Sequence, residues 1–309
     1  ERHASARGGS GRPAMRQSLV VAQVALALVL LVGAGLTLRT LWNLDRVPLG
    51  FDARSLVLAP VDLARTRGPD PEDLRIYESI SERVRSIPGV RDATVARISP
   101  FSGSRMANDI FWETGDSAGA RGRTNVDMNV VDVAYFKTLG IPLLAGRAFS
   151  DQDRAGAPDV AVVNQALAAR LWPGANAVGK EIWEWRTDGP DRALDVVGIV
   201  ANGRYYRSWR TADRPFVFLP LAQNPSRQTT LHVRAPGAGF RLGDSLRQAM
   251  TDADAAIPPP RTLTAEEAMA ASVSLQRTNA RLLTLFGALA THVPARRATR
   301  VDPLLVLRE

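Results

Sequence analysis

Residues 19 to 38 read LVVAQVALALVLLVGAGLTL, a run of twenty without a charged side chain, bounded by Arg16 and Arg39. At 1.5 Å rise per residue a helix of that length covers about 30 Å, the thickness of the hydrocarbon core of a bilayer. Its leucines and valines favour insertion by about 4 to 7 kcal/mol, and Gln23 and Thr37 take back only part of that. A helix buried in a water-soluble core would show a polar face at period 3.6, and none is visible here. A cleaved leader has an apolar core of only about 7 to 15 residues ending at a small-x-small site. This run instead continues through Arg39 into Leu41, Trp42 and Leu44. The expectation is a membrane-spanning helix with an interfacial stalk, together residues 17–44.

The distribution of charge sets its orientation. Arg2, Arg7, Arg12 and Arg16 against Glu1 make the first sixteen residues basic, and Arg296, Arg297, Arg300 and Arg308 against Asp302 and Glu309 do the same for the tail. The formal net charge of +8 therefore sits largely beside apolar segments, the pattern of cytoplasmic flanks of a membrane protein. A nucleic-acid binder needs a basic face on its folded domain, so no nucleic-acid partner is expected, whereas membrane lipid is. The N-terminus is placed in the cytoplasm and the region after Arg39 across the membrane. The chain has no cysteine, which excludes disulfides, thiolate metal sites and cysteine nucleophiles. Its histidines, His3, His232 and His292, are far apart, and no metal site is expected.

Beyond the stalk, strand and helix signals alternate. Ser55 to Leu63 predicts a strand. A helix follows, with Asp70 as N-cap, Pro71 at its first position, Glu72 and Asp73 at the positive end of its dipole, and Pro88-Gly89 as its stop. Leu74, Tyr77, Ile80, Val84 and Ile87 form its buried face. Val90 to Ile98 and Thr124 to Val133 predict strands, followed by a short helical turn carrying Ala134, Tyr135, Phe136 and Leu139. A second unit runs from a strand at Val160 to Val163 into a helix at Gln165 to Leu171, ended by Pro173-Gly174. Strands at Leu194 to Val200, Pro215 to Leu219 and Thr229 to Val233 complete it. The mixture predicts an α+β fold of two subdomains, not a doubly wound parallel sheet. A last helix starts at Thr264 with Glu267 at capping-box spacing and keeps its apolar stripe through Met269, Val273, Ala280, Leu283 and Phe286. Leu282 to Ala290 is wholly apolar but only nine residues, about 14 Å and under half a span.

Three patterns tempt a catalytic reading. Gly174 to Lys180 matches a phosphate loop until Glu181 stands where a Ser or Thr hydroxyl must hold magnesium, so a plain turn is expected. Gly115-Asp116-Ser117-Ala118-Gly119 matches GxSxG, yet no helix follows it, and a loop between strands is the better reading. His232 lies in the strand LHVR and reads as half-buried. The carboxylate pairs Glu266-Glu267 and Asp151-Asp153 read as a helix start and a solvated loop. No catalytic, cofactor-binding or metal-ligating residue is assigned, no cofactor is expected, and the chain is not read as an enzyme.

Five blocks carry a resemblance: Arg16 to Trp42, Tyr135 to Ser150 (YFKTLGIPLLAGRAFS), Val160 to Lys180 (VAVVNQALAARLWPGANAVGK), Leu194 to Val200 (LDVVGIV) and Pro294 to Glu309 (PARRATRVDPLLVLRE). In this order they resemble ABC-transporter permeases of the macrolide-exporter type. More narrowly, they resemble the second half of duplicated orphan permeases, which join a MacB-like periplasmic core domain to an FtsX-like membrane portion. The resemblance implies an α+β periplasmic core on an N-terminal transmembrane helix in the bacterial inner membrane, a separate cytoplasmic ABC ATPase subunit, and a dimeric arrangement of permease halves. It divides the chain into a basic cytoplasmic segment 1–16, helix and stalk 17–44, periplasmic core 45–280, a truncated second transmembrane helix 281–290 and a basic C-terminal tail 291–309. In the family three further spans precede that tail; here Ala290 runs directly into Thr291, as if internal spans were deleted. The function implied is mechanical, with ATP turnover in the partner driving export or membrane extraction of a substrate. The alternative is a single-span anchored periplasmic binding or scaffold module without a coupled ATPase.

Overall fold

The computed structural model describes residues 49–53, 55–65, 72–115, 119–203, 214–237 and 242–272, isolated positions of a helix between 21 and 39, and residue 282. Among the described residues no helix is long and apolar enough to cross a membrane. The span expected at 19–38 is described only at scattered helical positions, of which Val21, Leu28, Val29, Val32 and Leu36 are exposed. Apart from helical Leu282, the segments expected at 281–290 and 291–309 lie outside the described residues.

Residues from Pro48 to Ser272 form one compact unit. In chain order its elements are β1 (Leu56–Asp62), a 3-10 turn (Leu63–Arg65), α1 (Asp73–Arg85), β2 (Asp92–Ala96), β3 (Met106–Glu113), β4 (Arg121–Val131), α2 (Tyr135–Leu139), β5 (Leu143–Gly146), β6 (Val160–Asn164), α3 (Gln165–Leu171), β7 (Glu181–Glu184), β8 (Arg192–Val200), β9 (Phe216–Pro220), β10 (Gln228–Arg234), α4 (Gly243–Ala253), β11 (Leu263–Thr264) and α5 (Ala265–Ser272). The expected mixture of strand and helix is present; β7 covers Ile182-Trp183, which reads as strand in the sequence, and β3, β5, β11 and α4 are additional.

The eleven strands among the described residues belong to one sheet, which has an open part and a closed part. The open part runs β11-β1-β10-β2, entirely antiparallel. It joins the closed part through a single pair, Ala96 opposite Val131. In the closed part, β4 pairs with β3 along Arg121–Met128 and, in parallel, with β9 along Asp127–Val131. Since β3 continues through β7, β8 and β6 back to β9, these six strands form a ring, and β5 adds to β8 outside it.

Alternation along the strands divides the apolar residues between two cores. Val57, Ala59, Val61, Val95, Leu231 and Val233 face α1 and α4, and the same cluster runs on into the ring through Val126, Met128, Ala161, Val163, Leu194 and Val217, where α3 adds Leu167, Ala168 and Leu171. The opposite face, Leu56, Leu58, Ala96, Val131, Val162, Phe216 and Phe218, takes Tyr135, Phe136 and Leu139 of α2. A period of two sends neighbouring residues to opposite faces, so β1 and β6 carry consecutive apolar residues, Leu56 to Ala59 and Val160 to Val163, where both of their faces are covered.

Helix α1 presents the predicted stripe: Tyr77, Ile80 and Val84 are buried and Leu74 and Ile87 pack beside them. Its start differs from expectation. Glu72, not Asp70, is the N-cap and makes no side-chain capping bond; Asp70 lies outside the described residues. Asp73 is buried and its carboxylate accepts from Nε of Arg227 at 3.0 Å, so a tertiary ion pair, not a cap, fixes this end. Helix α3 follows its sequence signals. Asn164 caps it by accepting from the Leu167 N–H at 3.0 Å, and it ends at Leu171 ahead of Pro173-Gly174.

Candidate functional site

Among the described residues none of the tempting motifs assembles a reactive centre. Gly115 and Gly119 lie in the β3–β4 turn, where the Thr114 N–H donates to the Ala120 carbonyl; Ser117 lies outside the described residues. Gly174 to Lys180 is a turn between α3 and β7. Among the described residues no group of histidines and carboxylates is placed to hold a metal ion. Asp153 corrects the solvated-loop reading. It is buried, Arg147 forks onto both its oxygens at 2.7 Å, and that guanidinium holds its carboxyl below the usual carboxylate range. Glu267 has the expected local role: Oε2 accepts from the Thr264 N–H at 2.8 Å while Oγ1 of Thr264 accepts from the Glu267 N–H at 3.1 Å, a closed capping box.

His232 is fully buried, not half-buried. It stands on β10 between Leu58 of β1 and Thr94 of β2 and meets the Tyr135 ring edge-on at 5.8 Å. No hydrogen bond of good geometry reaches either ring nitrogen, and burial pushes its pKa down to about 4 against a weak opposing pull from the Thr230 backbone.

The polar groups that do converge lie where the chain enters and leaves the domain. Arg234, the last residue of β10, has a side chain only 10% exposed. Its Nε donates to the Thr138 carbonyl at 2.5 Å, and its Nη1 to Oδ2 of Asp52 at 2.5 Å and Oγ of Ser55 at 3.1 Å. The Asp52 N–H in turn donates to the Leu139 carbonyl at 3.0 Å. One guanidinium thus joins the segment entering β1, the end of α2 and the end of β10. Charge-assisted bonds of this kind are about twice as strong as neutral ones.

Two residues earlier the same segment touches the ring. Gly50 has φ +78°, and a Cβ there would stand 2.3 Å from the Asn202 carbonyl oxygen, so only glycine fits. The Asn202 side chain accepts from Nδ2 of Asn164 at 2.9 Å and the Ala166 N–H at 2.8 Å, which links this contact to the start of α3. The exit is adjacent. Strand β11 pairs with the beginning of β1, Thr264 opposite Val57, and α5 sets Ala265, Ala268 and Met269 on the apolar cluster that also holds Leu49 and Phe51. Entry and exit therefore share one end of β1. Sequence reading found the capping box but missed this clamp, because Asp52 and Arg234 are 182 positions apart and neither belongs to a local motif.

Among the described residues the arrangement brings together no nucleophile and base; it ties the entering segment, the end of α2 and the end of β10 to one another. A model of the family described as MacB-like periplasmic core domain matches residues 18–256. The chain belongs to that family. As a MacB-like periplasmic core protein it is a component of an ABC-transporter permease, a membrane protein with an extracytoplasmic domain, and domains of this family are not enzymes. The match begins ahead of the apolar run at 19–38 and takes in both the clamp and the ring. Two solved structures are similar. The periplasmic region of MacB from Actinobacillus actinomycetemcomitans has a TM-score of 0.45 at 12% identity over 72% of this chain and 94% of that one. The extracellular domain of the noncanonic ABC-type transporter YknZ from Gram-positive bacteria has a TM-score of 0.43 at 13% identity over 67% of this chain and 99% of that one. No curated protein sequence matches the chain.

Proposed function

We propose that the chain is a permease subunit whose periplasmic domain transmits conformational change, driven by ATP turnover in a separate cytoplasmic ABC ATPase, to export or extract a substrate from the membrane. The observation that supports this reading most is the shared attachment: the segment 49–53 and helix α5 meet at one end of β1, and Arg234 and Gly50 tie the entering segment to both parts of the sheet. Displacement of either flanking segment acts on one packed body, and packed interiors transmit strain.

In this reading residues 17–44 span the inner membrane with residues 1–16 in the cytoplasm, the core extends over 45–280, 281–290 is the cut remnant of a second span, and 291–309 is a cytoplasmic tail. The division of the sheet into open and closed parts supports two subdomains within that core. The narrower assignment, to the second half of a duplicated orphan permease working as a dimer of halves, rests on the tail and on the block order.

The test is crosslinking and affinity purification of the full chain from native membranes. A co-purifying ABC ATPase whose turnover depends on the chain supports the reading. Its absence under efficient crosslinking, with a folded chain in the membrane, favours the anchored scaffold module.

A further inference from the structure

Asp127, in β4, has a side chain only 1% exposed, and each of its oxygens faces an arginine. Nε of Arg105 lies 2.5 Å from Oδ1 and Nε of Arg214 lies 3.2 Å from Oδ2. The two arginines come from distant parts of the chain and are brought together by pairing: Arg105 immediately precedes β3, where Met106 stands opposite Met128, and Arg214 sits just ahead of β9, where Phe216 stands opposite Asp127. A single guanidinium neutralises a buried carboxylate, so the second leaves a surplus positive charge that the interior does not need.

That charge is presented outward. The side chains of Arg105 and Arg214 are 46% and 42% exposed although Arg105 donates from Nε to Oδ1 and Arg214 is held as an ion pair at Oδ2, which accepts no hydrogen bond of good geometry. Nη2 of Arg105 makes only a long 3.5 Å contact to Oδ1 of Asn125, and among the described residues Nη1 of Arg105 and both terminal nitrogens of Arg214 have no acceptor. A carboxylate that holds one guanidinium by a hydrogen bond and a second by ion pairing lowers the entropy lost when their outer N–H edges take up an oxyanion, and those planar edges match phosphate oxygens.

We infer that Arg105 and Arg214, held by Asp127, form a binding site for a phosphate-bearing oxyanion, either free phosphate or the phosphate of a lipid headgroup. The site is independent of the clamp at Arg234 and of the coupling reading.

The experiment is a phosphorus NMR titration of the full chain in uncharged detergent, with inorganic phosphate in one series and glycerol 3-phosphate, a soluble headgroup mimic, in another. Saturable binding is expected, weakened about tenfold by Arg105→Gln and by Arg214→Gln. Each variant leaves Asp127 one arginine, and the melting transition confirms its fold. Arg121→Gln, which removes an exposed arginine stacked on Trp183 at 3.9 Å, leaves binding unchanged. Tighter binding of inorganic phosphate assigns the free ion, and tighter binding of glycerol 3-phosphate assigns the headgroup. No saturable binding of either probe, or undiminished binding in the folded Arg105→Gln, Arg214→Gln double variant, overturns the inference.

Discussion

Nη1 of Arg234 lies 2.5 Å from Oδ2 of Asp52, and the pair binds the entering segment to the far end of β10. The two partners are not equivalent. Arg234 is buried and also satisfies the Thr138 carbonyl, whereas the Asp52 side chain is 51% exposed. Arg234→Met is therefore expected to destabilise the domain by about 2 kcal/mol, because it leaves the buried Thr138 carbonyl without its donor. Asp52→Asn is expected to cost under about 1 kcal/mol, since solvent screens the exposed carboxylate and the amide still accepts. Urea unfolding of the full chain in detergent, followed by tryptophan fluorescence, measures both. Equal effects of the two substitutions would contradict the asymmetry of the clamp.

The buried His232 makes stability depend on pH in a defined direction. Its folded pKa of about 4 lies below the ordinary imidazole value of 6.5, so between these values the unfolded chain binds more protons than the folded one. The stability attached to the neutral ring is complete above about pH 6.5, is lost as pH falls toward 4, and amounts to about 3 kcal/mol for a fully buried group. His232→Leu removes that slope. Melting temperatures from pH 7.5 down to 4.5 should fall more steeply for the natural chain than for the variant; parallel curves would show that His232 does not titrate in this way.

Gly50 tests the contact between the entering segment and the ring. In Gly50→Ala the new methyl would lie 2.3 Å from the Asn202 carbonyl and the residue would keep a φ of +78°, so the segment must move. The conformational penalty alone is about 1 to 2 kcal/mol. The expected result is faster amide exchange at residues 49–53 and at the start of α3, whose Ala166 N–H is held by Asn202, with β7 unchanged. Unaltered exchange at 49–53 would mean that the segment does not rest on Asn202.

What the sequence revealed and what it hid follow from the range of the interactions. Helix α3 and the capping box at Thr264 were legible because their signals are local: a capping side chain within four residues and a Pro-Gly stop. Strand β3 was hidden because Asn108 and Asp109 interrupt its apolar pattern. In the sheet these polar groups are satisfied by neighbours far along the chain, Asp109 by Arg123 and Asn125, and Asn108 by Glu184 and the Trp185 carbonyl. Helix α4 begins at Gly243 behind Leu242, with no side-chain cap to announce it. The depth of His232 could not be read from LHVR, because an alternating strand shows which residues share a face but not that α2 covers this one.

The orientation drawn from the arginine cluster predicts an unequal chemical accessibility. The chain has no cysteine, so a single introduced thiol is the only target for a membrane-impermeant maleimide. Asp188 lies in an exposed turn between β7 and β8, away from the clamp and the buried cores, and Asp188→Cys should fold as the natural chain does. Arg7 belongs to the basic segment that the positive-inside rule assigns to the cytoplasm. In cells whose outer membrane has been permeabilised, Asp188→Cys is expected to label readily and Arg7→Cys only after the inner membrane is opened. The tail gives an independent reading from the same reagent. If 291–309 is cytoplasmic, Thr299→Cys follows the Arg7 pattern, which requires the chain to cross the membrane a second time after α5. If it labels as Asp188→Cys does, the tail stays on the side of the domain and the anchored-module reading gains over the permease half.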